Sequence, residues 1–407
     1  MKVLHVTPWY EPAWAAGGCV VSTRNFCRAL SSLGVDVTVY ATDDDGHGAR
    51  MDVPLGEPVD VGGVKVLYFR SGPFGKWRPE AFSRTLSRKL AESMHRFDLV
   101  HVSLTRHWHG LRVSLLNRLS RVPYLLTPHG SLNEWFVMKV GKAYLKIPYA
   151  YLVDSRVARA ASAVHYLCRG ERVMSRRFGF GRPSFLVPNG IDLAHFCRRP
   201  EARTKLRREI GAADGTTVLL YVGRVHPMKN VHLVVEALGL LKDAGERVLF
   251  VVLGPTPDHG YLASLKERVT ACRLEDSVRF LPPVPQEEVI DWYSAADILV
   301  LPSLVEGLSM SVIEALAASL PVLISRNAAN ASDVVKDGAG QAIDLTAESI
   351  ASALLPLVFS GERIAELSYN ARRSALARYD INKVADLMAR AYRDVLTGSR
   401  DAALNWS

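Results

Sequence analysis

Short apolar runs and helix-period stretches alternate along the whole chain. Runs at 2–7, 35–41, 64–69, 99–103, 124–127 and 184–187 predict buried strands in the first half, with helices expected at about 22–33 and 79–95 between them. The rhythm restarts at 218–223 and continues through 248–253, 278–281, 298–301 and 321–325, with a helix from Asn230 to about Leu241. Strands that alternate with helices and are apolar on both faces read as parallel and covered on both sides. The pattern therefore predicts an α/β protein of two doubly wound units, 1–195 and 196–379, with a final segment 380–407. Helix-rich sequence at 350–395 breaks near Tyr379-Asp380-Ile381, and the charged residues after Gly398 are expected to fray.

Composition narrows this picture. A chain of 407 residues with 48% hydrophobic content can build two cores. No apolar run approaches the roughly 18 residues that span a bilayer, and Met1 to Trp9 reads as a strand rather than a signal peptide, so a cytoplasmic protein is expected. The five cysteines, at 19, 27, 168, 197 and 272, include no C-x-x-C pair and are expected to stay reduced. Residues 1–195 carry 26 Lys and Arg against 15 Asp and Glu, while 196–407 carry 24 against 26. The net +9 thus belongs to the first half. A basic first half suits an anionic donor or acceptor, or an anionic membrane surface touched peripherally; no nucleic-acid motif accompanies it, so nucleic acid is not expected as a partner.

The most informative stretch is Pro302 to Ala317. An apolar run stops at Pro302-Ser303 and a helix pattern starts after Ser309, which aims the amides of Leu308 to Ser311 at whatever sits above the sheet. Glu306 in the loop and Glu314 in the helix flank that position; carboxylates accept hydrogen bonds from hydroxyls, so the expected guest carries phosphate and sugar together. Arg224 and Lys229, on a second strand-to-helix loop, add cations. In the first half, Gly17-Gly18 opens another strand–loop–helix, and His129-Gly130 ends an apolar strand where open parallel sheets hold ligands. Asp43-Asp44-Asp45 could hold a divalent metal but reads better as a turn, and His107-Trp108-His109 lacks a third ligand. Residues 134–159 mix aromatic and basic side chains, from Trp135 to Tyr151, in a helix-compatible stretch that suits a membrane surface or an ordinary packed helix. Neither G-x-G-x-x-G nor G-x-x-x-x-G-K-[ST] occurs, which argues against a dinucleotide dehydrogenase and a P-loop ATPase.

Taken in order, Gly17-Gly18, His129-Gly130, Pro188-Asn-Gly-Ile-Asp192, Gly223-Arg224 with Lys229-Asn230, and Glu306-x7-Glu314 resemble the retaining GT-B glycosyltransferases of family four. The resemblance implies two Rossmann-like domains facing across a cleft, an acceptor domain at 1–195, a donor domain at 196–379, and a last helix within 380–407 that returns to the first domain. It implies a hexosyltransferase taking a nucleotide diphosphate sugar, a UDP-sugar in preference to GDP-mannose, to a lipid-linked or saccharide acceptor. Polysaccharide, O-antigen or glycolipid synthesis would be its setting. The nucleotide sugar is a substrate, so neither a cofactor nor a metal is expected. By the same resemblance Arg224, Lys229 and the amides of Leu308, Ser309 and Met310 hold the diphosphate, Glu314 the ribose, and Glu306 and His129 the transferred sugar. Gly17 and Gly18 bring backbone to phosphate and acceptor, Gly254 and Val284 wall the base, and Ser131 and Asn189 join Gly18 toward the acceptor. Serine at 309 departs from the glycine of many relatives. A nucleotide-sugar epimerase on the same fold and a non-catalytic nucleotide-sugar-binding protein are the competing readings.

Overall fold

The computed structural model describes residues 1–72, 82–139, 143–178, 183–243, 248–404 and 406. It divides into two compact units, Met1–Gly190 with Ile381–Ser407, and Ile191–Asp380.

Among the described residues the first unit is built on eight strands: β1 Lys2–Val6, β2 Asp36–Thr42, β3 Pro58–Asp60, β4 Lys65–Phe69, β5 Leu99–Ser103, β6 Tyr124–Thr127, β7 Ala163–Tyr166 and β8 Ser184–Leu186. Their order is β3-β4-β2-β1-β5-β6-β7-β8, parallel throughout except that β3 runs antiparallel to β4 at the edge. The strand period of two sends successive apolar residues to opposite faces. Leu4, Val6, Val100, Val102 and Leu126 join one core, and Val3, Val37, Val39, Leu99 and Leu125 the other. The second core is completed by Val384, Met388 and Tyr392 from the last helix, Ile381–Thr397, which packs beside the helix Gly18–Ser32.

A chain of buried side chains ties that last helix to the sheet. Nε2 of His165 lies 2.7 Å from the Val187 carbonyl, which can only accept, so the ring donates there. Burial pulls His165 down to about 3 and His101 well below its usual value, so both rings are neutral. His165 Nδ1 must then accept from the Thr127 hydroxyl at 2.8 Å, Thr127 from His101 Nε2 at 2.6 Å, and His101 Nδ1 from the Tyr392 hydroxyl at 2.8 Å. Every donor and acceptor in the row has one assignment.

In the second unit, β9 Thr217–Val222, β10 Val248–Leu253, β11 Val278–Leu281, β12 Ile298–Leu301, β13 Val322–Ser325 and β14 Gly340–Ile343 lie in the order β11-β10-β9-β12-β13-β14, all parallel. The chain passes from one unit to the other twice, and the two passages run side by side, Ile191 bridging Asp380. A Cβ on Gly190 would lie 2.8 Å from the Ile381 Cα, and Ile191 N–H donates to the Tyr379 carbonyl at 2.9 Å. This is why glycine stands inside Pro188-Asn-Gly-Ile-Asp192.

Several expectations shift. The first helix begins at Gly18 rather than Ser22, because Gly17 at φ 83° ends the short turn Trp14–Ala16 and lets Gly18 start the helix. The expected helix start at Pro79 lies outside the described residues; the observed helix is Arg84–Ser93, with Ser83 as its cap. Strands β3, β7 and β14 were not expected. The stretch 134–159 is not one helix: Glu134–Lys139, Ala143–Tyr149, a π-turn at Ala150–Asp154 and Ser155–Ala160 succeed each other, with Pro148 inside the second piece. The side chains of Trp135, Phe136, Lys139 and Lys142 lie outside the described residues. Nor does the tail fray after Gly398. Leu404 is fully buried, Trp406 packs on Phe185, and the Asp394 carboxylate accepts from Asp401 N–H, the Ser399 hydroxyl and the Trp406 indole. Two apolar anchors outweigh the charges around them.

Candidate active site

The second sheet changes winding direction between β9 and β12, and open α/β sheets hold ligands beyond the carboxyl ends of the strands at that point. The loop after β9 runs from Gly223 to Asn230, and the loop after β12 from Pro302 to Ser309. The two loops are tied together. Leu304 N–H donates to the Met228 carbonyl at 2.9 Å, and Asn230, in the left-handed region at φ 49°, sends its side-chain amide to the Pro302 carbonyl at 3.1 Å. This brings Lys229 onto Glu306: the ammonium donates to Oε1, and the buried Ser303 hydroxyl donates to the same oxygen at 3.0 Å. Both side chains are largely buried, at 21% and 16% exposure. Ala329 N–H holds the Glu306 carbonyl at 3.1 Å from the other side. Arg224, by contrast, is exposed.

The helix Met310–Ala317 starts beside this pair. Ser309 precedes it in an extended conformation and makes no side-chain cap; its hydroxyl meets that of Ser311 at 3.0 Å. The helix N-terminus, with no side-chain cap from Ser309, presents the positive end of its dipole, which favours an anion there. Further along, Glu314 is buried and accepts from the Tyr293 hydroxyl at 2.9 Å and the Gln286 amide at 3.0 Å. Burial pushes its carboxyl up to about 7, against the pull of those two donors. Gly254 ends β10 at φ 144°, and a Cβ there would stand 2.2 Å from the Gly223 carbonyl oxygen, so the strand ends meet without side chains between them. Val284 lies in the proline-rich loop after β11, next to the helix that carries Gln286.

In the first unit the winding changes between β1 and β5. Gly17 lies in the loop after β1, where a Cβ would meet nothing but φ is 83°. After β6 the chain turns through His129 at φ 53° and Gly130 at φ 73°. His129 Nε2 stands 3.2 Å from the Ser103 hydroxyl, which also lies 2.8 Å from Nε2 of the buried His5. Desolvation pulls His129 down to about 4, so the ring is neutral and able to donate to or accept from a hydroxyl. Ser131 is engaged, donating to the Pro128 carbonyl at 2.6 Å and bonded to Thr105. Asn189 lies after β8 at the chain's exit from this unit. The carboxylates of Asp43, Asp44 and Asp45 accept from Ser71, Gly46, His47 and Ala49 and close their own loop. His109 donates to the Ser103 carbonyl at 2.8 Å and His107 packs edge-on against Trp9. Among the described residues no group of three His, Cys, Asp or Glu is arranged to hold a metal.

Ser303, Tyr293 and Gln286 in the second unit, and Ser103 and His5 in the first, escaped the sequence reading. Only Ser303 had a local signal, three residues before Glu306. The rest reach their carboxylate or imidazole across 21 or more residues of sequence.

Two family models match this chain, one described as a glycosyl transferase 4-like domain over residues 17–190 and one as glycosyl transferases group 1 over residues 202–374. The D-inositol 3-phosphate glycosyltransferase of Geodermatophilus obscurus is 29% identical over 416 residues, covering 96% of this chain and 87% of its own. D-inositol 3-phosphate glycosyltransferase 2 of Catenulispora acidiphila is 28% identical over 435 residues, covering 97% of each. Among solved structures, sucrose-phosphate synthase from Thermosynechococcus elongatus superposes with a TM-score of 0.77 at 20% identity, over 98% of this chain and all of that one. Anabaena HepE in complex with UDP-glucose superposes at 0.74 and 18% identity, over 97% and 100%. Two models in chain order, one for each unit, and relatives matched along nearly the full length identify this chain as a glycosyltransferase of the GT-B fold, belonging to the group 1, family-four type.

Proposed function

We propose that the chain transfers a hexose from a UDP-sugar to a hydroxyl of a saccharide or lipid-linked acceptor, with retention at the anomeric carbon and without a metal. The observation that carries the reading is the Lys229–Glu306 pair beside the N-terminus of the helix Met310–Ala317, at the switch point of the second sheet. Breaking the anomeric bond leaves negative charge on the departing diphosphate; Lys229, Arg224 and the amides of Leu308, Ser309 and Met310 stabilise it as it forms. Glu314 accepts from ribose hydroxyls and Glu306 from hydroxyls of the sugar, while Gly254 and Val284 leave a flat wall for the base. His129 offers a neutral imidazole to a sugar hydroxyl, and Gly17 and Gly18 admit substrate close to the backbone. A departing phosphate oxygen takes the acceptor proton, which fits retention. The relatives' named substrate, an inositol phosphate, supports a polyhydroxylated acceptor; the basic first half fits an anionic one.

Thermal stabilisation against UDP, GDP, ADP, TDP and CDP, without and then with magnesium, tests the donor half. A shift with UDP alone and no magnesium requirement is expected; a shift that appears only with magnesium overturns the metal-free reading. Peripheral membrane contact at a cytoplasmic face belongs to the same proposal. It is supported by exposed Tyr144, Leu145, Tyr151 and Leu152 next to exposed Arg156 and Arg159, and no helix among the described residues is long and apolar enough to cross a membrane. Flotation with anionic vesicles at low salt checks it, and protein left in the soluble fraction rejects it.

A further inference from the structure

A histidine in the left-handed region costs on the order of 1 kcal/mol and persists only where its surroundings over-determine it. His129, at φ 53°, is followed by Gly130 at φ 73°, so the turn after β6 contains two such residues in succession. The group that holds it comes from another element. Glu171, in the first turn of the helix Arg169–Ser175, is 2% exposed. Its Oε1 accepts from Gly130 N–H at 2.5 Å and its Oε2 from Leu167 N–H at 2.7 Å. Leu167 directly follows β7, and β6 and β7 are paired, so one carboxylate bridges the carboxyl ends of two neighbouring strands.

A helix start needs no such carboxylate. Serine, threonine or asparagine at the N-cap serves the first-turn amides, whereas Glu171 takes Leu167 N–H, which precedes the helix, and Gly130 N–H from another element. Burying an ion whose partners are two backbone amides is expensive, and desolvation pushes Glu171 up to about 7 despite both hydrogen bonds. The amide it grips belongs to the residue after His129, while Ser103 restrains the ring from the other side at 3.2 Å. We propose that Glu171 is a positioning residue for the transfer reaction: by binding the Gly130 amide it fixes the left-handed turn that aims the His129 imidazole. This rests on the role proposed for His129.

Glu171→Gln keeps the shape but replaces one acceptor oxygen by an NH2 group, so Gly130 or Leu167 N–H loses its partner. Crystal structures of the wild-type chain and the variant give the first readout. Expected is a turn in which His129 has left the left-handed region or its ring has left Ser103; unchanged His129 geometry overturns the proposal. UDP release from UDP-glucose gives the second. A misplaced group costs about 10–100-fold in kcat with KM little changed. The test is a cycle with His129→Ala: if Glu171 acts through His129, Glu171→Gln costs less than about twofold in the His129→Ala background. An equal loss in both backgrounds means Glu171 is merely structural. If His129→Ala itself turns over like wild type, the role of the histidine fails, while the crystal structures still decide whether Glu171 holds the turn. Should Glu171→Gln not fold, Glu171→Asp, which keeps the charge but reaches only one of the two amides, takes its place in both measurements with the same outcomes.

Discussion

Lys229 has one cationic centre and two claims on it. Its ammonium donates to Glu306, and on the proposed function the donor diphosphate draws on it as well. Glu306→Gln removes one claimant with little change in shape, since the glutamine oxygen can still accept from Ser303. The pair's contribution lies between that of an exposed pair, about 0–1 kcal/mol, and a buried one, about 3–5 kcal/mol on loss of a partner. With 21% and 16% exposure, about 1–2 kcal/mol is a reasonable value after discounting for solvent screening. Freed of Glu306, Lys229 offers that interaction to the nucleotide, so UDP binds the variant roughly 5–30-fold more tightly, at 1.36 kcal/mol per factor of ten. If Glu306 holds the sugar as proposed, transfer from UDP-glucose nevertheless falls, on the order of 100-fold, because a charged acceptor for its hydroxyls is gone. Isothermal titration with UDP and a product assay on the same preparations separate the two effects. Unchanged or weaker UDP binding by Glu306→Gln refutes the competition; tighter binding with undiminished transfer removes Glu306 from the sugar.

Tyr392→Phe leaves His101 Nδ1 without a donor and costs about 1–3 kcal/mol, while Thr127→Val orphans both a ring donor and a ring acceptor and costs roughly twice that. Hydrogen exchange in Ile381–Thr397 reads the difference, and equal protection in both variants would mean that the row of bonds is not directional. Gly254→Ala drives a Cβ into the Gly223 carbonyl and destabilises the second unit by at least about 2 kcal/mol. Gly17→Ala, with open space around it, meets no clash and carries only the backbone strain of φ 83°, ψ −150°, about 1–3 kcal/mol; equilibrium unfolding in which it costs more than Gly254→Ala contradicts the geometry. Glu314 is held near 7 in the folded state against an ordinary 4.5, so the folded chain holds its proton more tightly and stability falls as pH rises from about 4.5 through 7. Relative to wild type, Glu314→Gln should therefore gain on the order of 2 kcal/mol between pH 5 and pH 8, whatever offset the lost hydrogen bond sets. Thermal unfolding that gives one constant difference at both pH values rejects the burial argument.

The apolar period of the chain determined the fold class, the two sheets and most of their strands, because a strand buried on both faces must be apolar whatever lies above it. It missed β3, three residues at the sheet edge, β7, whose four residues include His165, and β14, which opens on glycine and glutamine: all three are strands by pairing rather than by composition. The loop motifs were legible for a related reason. Gly17, Gly254 and Asn230 answer local backbone demands, and Glu306 and Glu314 take their places from one strand–loop–helix. No spacing could reveal which groups face one another. Lys229 on Glu306, Tyr293 and Gln286 on Glu314, Glu171 beneath Gly130, and Tyr392 at the end of a row that begins at Val187 are contacts between segments brought together by strand order. Residue types and their local geometry are written in the chain. Protonation, tautomer and aim are decided by burial and by neighbours distant in sequence, and those exist only once the sheets have formed.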